Sequence, residues 1–237
     1  MQIEIYRPPQ GARSVLYVLD GQLYFNSAVE IVRANTPSTL VVGIFSSRRS
    51  YDLTLPAREE VLMEESVPGV YAYRPEDVGG LDDFLEIFRR DVMPQAGPYE
   101  NQAIFGHSLG GLAVLHLLFQ DPNCVRTYIA ASPSIWWARR AVLAGEQRFG
   151  VQVRTAAARP RVLITMGSEE GSQPREFAPV LARQRMVENA RELTSRLQSL
   201  QGAPGYEVAD YAVFPDFSHG FSPWPALARA IEFAFQA

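Results

Sequence analysis

The sequence predicts a three-layer α/β sandwich around a mostly parallel sheet. Three observations predict it. Short continuous apolar runs recur along the chain, stripes of apolar residues at helical spacing lie between them, and a Gly-x-Ser-x-Gly turn joins one run directly to a helix. Strands buried on both faces lose the polar alternation of a solvent-facing strand, which is why continuous runs point to a parallel sheet.

The elements follow in order. Residues 1–6 alternate as a strand does. Residues 14–19 form an apolar run that ends at Asp20-Gly21, and residues 39–44 form the next. Residues 46–80 are the least regular part, with Arg48, Arg49, Tyr51 and Asp52 followed by Pro56, Pro68 and Pro75. Long irregular segments are usually functional or mobile, and in open α/β sheets they border the strand ends that form the site, so this region is a candidate lid. Leu81, Phe84, Leu85, Phe88 and Val92 make a helical stripe that Pro94 is expected to close. Residues 103–105 are a strand entering Gly106-His107-Ser108-Leu109-Gly110-Gly111, and residues 112–119 a helix leaving it. Strands are expected at 125–130, at 161–166 (ended by Gly167) and at 206–214. Helical stripes occupy 187–200 and 226–235. No repeat, low-complexity tract or long linker divides the chain, so a single domain over residues 1–237 is expected.

Composition narrows the function. The formal net charge of −4 argues against nucleic acid as a partner. No apolar run reaches the length of a membrane span, and the start of the chain has no basic segment leading into a long apolar one, so no membrane partner and a cytoplasmic location are expected. Cys124 is the only cysteine, which excludes an internal disulfide and a thiolate metal cluster. All 22 basic residues are arginine. The absence of lysine excludes Schiff-base, P-loop and Ser-Lys chemistry, and leaves anion recognition to guanidinium groups.

The glycine-flanked Ser108, placed between strand and helix, has the pattern of the nucleophile elbow of an α/β-hydrolase. A serine hydroxyl needs a general base. Of the three histidines, His107 adjoins the serine and cannot readily fold back on it, and His116 lies within the following helix. His219, between the last strand and the last helix, stands where the order Ser…acid…His puts the base. The acid should follow a strand between them. Gly167-Ser168-Glu169-Glu170 does so, and Glu170 is preferred to Glu169; Asp216 is a further alternative, and a Ser-His pair without a tight acid stays open. Backbone donors for the oxyanion are assigned to Leu109, after the nucleophile, and to Gln22, after the first long strand, with Gly21 as alternative.

The segments Leu16-Tyr17-Val18-Leu19-Asp20-Gly21-Gln22-Leu23-Tyr24-Phe25, Arg49 to Thr54, the elbow, and Ser132-Pro133-Ser134-Ile135-Trp136-Trp137 resemble the putative-esterase family of α/β-hydrolases. The similar branch contains enterochelin esterases and siderophore trilactone hydrolases. The resemblance spans nearly the whole chain and implies ester attack by Ser108, base catalysis by His219 and a glutamate matching Glu170. By this resemblance the chain is expected to lack the separate N-terminal domain of the larger enterochelin esterases. Trp136 and Trp137, with Tyr24 and Phe25, would wall an aromatic or catechol pocket, and Arg48, Arg49 and Arg74 would meet a carboxylate or an anionic ferric siderophore.

The expectation is a serine esterase acting through an acyl-enzyme on a small-molecule ester, a siderophore lactone in particular, with no metal and no organic cofactor. The alternatives are a general carboxylesterase, an acyltransferase that keeps the same triad, and a binding protein that does not need a reactive serine.

Overall fold

The computed structural model describes residues 1–66, 72–171, 182–200, 204–209 and 211–236. Its strands are β1 (Gln2–Tyr6), β2 (Ser14–Leu19), β3 (Thr39–Phe45), β4 (Asn101–His107), β5 (Thr127–Ala131), β6 (Arg161–Gly167), β7 (Glu207–Val208) and β8 (Ala212–Phe214). They form one sheet in the order β1-β3-β2-β4-β5-β6-β7, with β8 also on β6. Only β1 is antiparallel to its neighbour; the other pairs are parallel.

The helices are α1 (Gly21–Asn35), α2 (Arg49–Asp52), α3 (Glu59–Glu65), α4 (Leu81–Ile87), α5 (Met93–Ala96), α6 (Leu109–Gln120), α7 (Trp137–Arg140), α8 (Glu146–Arg154), α9 (Met186–Gln198) and α10 (Pro223–Phe235). Strand β2 shows how the sandwich closes. It is buried along its whole length. Val15, Tyr17 and Leu19 enter the core shared with α4, α6, α8 and α9, whereas Leu16 and Val18 enter the core shared with α1 and α10. The two-residue period of a strand thus feeds two apolar layers at once. Helix α6 exposes almost nothing. Its half-buried polar positions, His116 and Gln120, both hydrogen-bond Asp82 of α4, at 2.8 and 2.7 Å. No described helix is long and apolar enough to cross a membrane.

Three expectations are corrected. Pro94 does not end its helix. A π turn over Phe88–Val92 precedes it, and the chain continues through α5 to Gly97, at φ +112°. The widened turn shifts the hydrogen-bond register, so the missing N–H of proline interrupts no ladder. Residues 206–214 are two short strands instead of one. Val208 pairs with Val162 while Ala212 pairs with Thr165, so the edge carries one residue more than β6, and the pairing breaks as at a bulge. Residues 46–80 are more regular than expected, holding α2, α3 and a 3-10 turn at Pro75–Asp77; Pro68 lies outside the described residues.

Backbone strain collects at the carboxyl ends of the strands. Asp20, Ser108 and Ser132, each the residue after a strand, have φ of +53°, +60° and +44°, and Asp216, two residues beyond β8, has +62°. Non-glycine residues held there cost about 1–3 kcal/mol each and gather at functional sites. A second cluster, Ala138, Arg139 and Arg140 at +49°, +55° and +67°, forms a left-handed turn beside this edge.

Candidate active site

Ser108 sits between β4 and α6 with φ 60° and ψ −116°. Glycines make this crossing possible. A Cβ on Gly106 would lie 2.3 Å from the Gly110 carbonyl oxygen, and one on Gly111 would lie 2.9 Å from that of Ala131. The turn is pinned by the Ser108 N–H, which donates to Ala131 O at 3.0 Å, and by the Ser134 N–H, which donates to Ser108 O at 3.1 Å.

His219 stands on the loop between β8 and α10. Its Nε2 is 3.1 Å from Ser108 Oγ, and its Nδ1 is 2.8 Å from Glu170 Oε2. With Nδ1–H given to the carboxylate, Nε2 is the acceptor facing the serine. Glu170 follows β6 on a 3-10 turn, Ser168–Gly171. Its second oxygen accepts the Gly167 N–H at 2.6 Å and the Ser132 hydroxyl. Burial acts to raise the pKa of this carboxyl, but the bonds from His219, Ser132 and Gly167 outweigh it and hold the group below the ordinary carboxylate value. Glycine is required at Gly167, because an added Cβ would lie 2.1 Å from the Phe217 carbonyl oxygen that lines the His219 loop. Ser222 ties the loop down, donating to His219 O at 3.3 Å and meeting Ser132 Oγ at 3.0 Å.

Glu169 is exposed and bonded to Ser168, and Asp216 is exposed, its N–H on Ser168 Oγ. Among the three carboxyl groups considered from sequence, Glu170 is the one that meets His219. Neither the Gln22 nor the Leu109 backbone N–H has an acceptor among the described residues. Both lie in the first turn of a helix, where such donors face outward. The two turns are neighbours: a Cβ on Gly110 would lie 3.4 Å from Asp20 Oδ2. Arg49 of α2 joins them, donating to both oxygens of the buried Asp20 at 2.8 Å and to His107 O at 3.4 Å.

The proposed pocket residues are placed differently from one another. Trp136 is 8% exposed and borders a cavity of about 250 Å³. Trp137, expected on the same wall, is fully buried and donates its indole N–H to Leu55 O at 2.7 Å, so it offers no surface to a substrate. The two rings still pack on each other, with centroids 5.8 Å apart and planes inclined by 59°. Tyr24 is buried with its hydroxyl on His107 Nδ1 at 3.1 Å, and its pKa is pushed up to about 12 by burial and then by Asp20. Arg74 is exposed in ion pairs with Asp77 and Glu76 and has no described contact with the Ser108 cluster.

Several groups at the site were not singled out from sequence. Ser132, Ser134 and Ser222 are hydroxyls around the Ser108–His219–Glu170 cluster; Ser134 Oγ lies 3.4 Å from Ser108 Oγ. A Ser-x-Ser pair directly after a buried strand was the available signal. His107 does not contact Ser108 as a base. Its ring packs on that of His219 with centroids 4.6 Å apart, and burial, then the neighbouring His219 and the Arg49 guanidinium, pushes its pKa well below the usual value, so the ring is neutral. No group of three or more His, Cys, Asp or Glu side chains among the described residues is arranged to hold a metal ion.

Taken together, a strained serine, an imidazole oriented by a buried carboxylate, and two backbone N–H groups without an acceptor among the described residues can carry out acyl transfer. A family model described as "Putative esterase" matches residues 1–224. The chain is 34% identical over 252 residues to the siderophore enterobactin esterase of Emericella nidulans, covering 93% of this chain and 81% of that protein. It is 32% identical over 250 residues to the ferri-bacillibactin esterase BesA of Bacillus subtilis, covering 96% and 80%. The solved structure of the siderophore hydrolase EstA from Aspergillus nidulans superposes with a TM-score of 0.81 at 30% identity, covering 98% of this chain and 88% of that one.

Proposed function

This chain belongs to the putative-esterase family and is a carboxylic-ester hydrolase, and from that premise we propose that it cleaves the ester bonds of siderophores through Ser108, His219 and Glu170. The observation that carries the catalytic assignment is the unbroken chain Ser108 Oγ–His219 Nε2 at 3.1 Å and His219 Nδ1–Glu170 Oε2 at 2.8 Å. The substrate class is supported by relatives that are named for enterobactin and bacillibactin and align along most of both chains.

In this reading Ser108 Oγ attacks the ester carbonyl carbon while its proton passes to His219 Nε2. The oxyanion is held by the N–H groups of Leu109 and Gln22. Collapse breaks the acyl C–O bond, and the leaving alkoxide takes the proton from His219. Water then attacks the acyl-enzyme, gives a proton to His219, and releases the acid as Ser108 is reprotonated. Glu170 holds Nδ1–H throughout and stabilises the imidazolium.

The test is product analysis on a ferric tris-catecholate trilactone beside short-chain aryl esters and an added alcohol. Ring-opened acid from the trilactone, at a kcat/KM well above that for the aryl esters, is expected. Turnover of aryl esters alone would return the chain to a general carboxylesterase, and ester product in preference to acid would make it an acyltransferase.

A further inference from the structure

His107 is a buried titratable group that the reaction above does not use. It is the last residue of β4, one before the nucleophile. Its ring packs on the ring of the base, with the planes of His107 and His219 inclined by 37°. Its Nδ1 lies 3.1 Å from the hydroxyl of Tyr24, in the first turn of α1. Tyr24 is itself held edge-on to Phe105 of β4 and Trp224 of α10, at 5.9 and 5.5 Å between ring centroids. Two helices and the base loop therefore meet through this pair of side chains.

The contacts fix the tautomer of His107. Burial keeps the Tyr24 hydroxyl protonated, so it donates to Nδ1, and the imidazole proton of His107 is on Nε2. The His219 backbone acts on this ring as an acceptor, yet Nε2 is buried and completes no hydrogen bond among the described residues. A buried N–H left in that state is costly, and an apolar ring would fill the same space without the cost. The other titratable or charged groups around His107 are Arg49 of α2 with its partner Asp20, and His219 with Glu170 behind it. His219 is the group that needs support, because its side chain is 32% exposed on a loop. Its bonds to Glu170 and Ser108 lie in the plane of the imidazole and resist displacement within that plane. A ring seated against one face resists tipping out of it.

We propose that Tyr24 and His107 are positioning residues that buttress one face of the His219 ring and keep its Nε2 aimed at Ser108 Oγ. The inference rests on the assignment of Ser108, His219 and Glu170 above. His107 transfers no proton and acts only through His219. Being neutral, it supports the ring without repelling the imidazolium that forms there during the reaction. Tyr24 holds His107 at the angle that this contact requires, and so ties the base to the turn of α1 that carries Gln22.

The experiment measures the second-order rate of fluorophosphonate labelling, and the proton resonance of His219 Nδ1–H, which its bond to a carboxylate moves far downfield of the amides. Wild type, Tyr24→Phe, Tyr24→Phe/His107→Phe and His107→Ala are compared at a temperature where melting curves show each one folded. The double variant keeps both rings and removes the hydroxyl and the imidazole nitrogens together, so it orphans no partner. Tyr24→Phe and the double variant should each slow labelling about fivefold, as losing one hydrogen bond does, and should keep the downfield proton. His107→Ala should slow labelling about a hundredfold, the effect of a misplacement of about 1 Å, and should lose that proton. Folded His107→Ala that labels at the wild-type rate would overturn the buttress, as would a double variant as slow as His107→Ala. Should His107→Ala not fold, Tyr24→Phe decides: slower labelling supports the buttress, and the wild-type rate overturns it. No labelling of the wild type would instead overturn the Ser108 assignment, and the buttress with it.

Discussion

At the scale of single residues, the account rests on Ser108, His219 and Glu170, and Ser108 and Glu170 make separable predictions. Ser108→Ala should lower kcat by about 10⁶, leaving only what the oxyanion donors and binding supply; single-turnover ester hydrolysis measures it. Glu170 predicts a pH effect on stability. Its carboxyl is held below the ordinary glutamate value of 4.5 in the fold, so the unfolded chain binds this proton more tightly. The stabilisation is therefore fully present above pH 4.5 and is lost as the pH falls through the depressed native value. Urea titrations across that range should show wild type and Glu170→Gln converging toward acid; a stability gap that widens as the pH falls would contradict the assignment. That His219 would meet Ser108 was legible because three histidines and one elbow leave few combinations. Ser132, Ser134 and Ser222 were not, since a serine hydroxyl gains its meaning only when distant strand ends bring it to a partner.

At the scale of elements, close approach decides which glycines are replaceable. Gly106→Ala puts a methyl 2.3 Å from the Gly110 carbonyl, and should cost about 1–3 kcal/mol or more by overpacking. Gly110→Ala meets nothing nearer than 3.4 Å and lies inside α6, so it should change stability by about 1 kcal/mol or less. Equal losses for the two in denaturant unfolding would contradict the packing given for the elbow. The Asp20–Arg49 pair joins the first turn of α1 to the end of β4. Arg49→Gln leaves the Asp20 carboxylate buried and unpaired, and should cost about 3 kcal/mol, the low end of the range for a buried pair because the Arg49 side chain is 33% exposed. The Asp20→Asn/Arg49→Gln pair should recover part of that loss, which a double-mutant cycle in urea would measure. The elements themselves were readable wherever a strand was buried on both faces, as β2 to β6 are. The edge at β7 and β8 was not, because an extra residue in a strand changes pairing without changing composition.

At the scale of the whole molecule, the parallel sheet brings the ends of β2, β4, β5 and β6 side by side, and that edge is where the strained residues and the Ser108–His219–Glu170 cluster lie. Alternation of strand and helix made this architecture legible, and the elbow indicated which edge bears the site. The contact of Tyr24, His107 and His219 was not legible, because these residues meet only through the packing of three segments far apart in sequence. The claim on which everything else depends is that Ser108 is an activated nucleophile. Intact mass after exposure to a fluorophosphonate, on wild type and Ser108→Ala in parallel, tests it most directly. A single phosphonyl adduct on the wild type and none on the variant is the predicted result. No adduct on folded wild type, or the same adduct on both proteins, would contradict it.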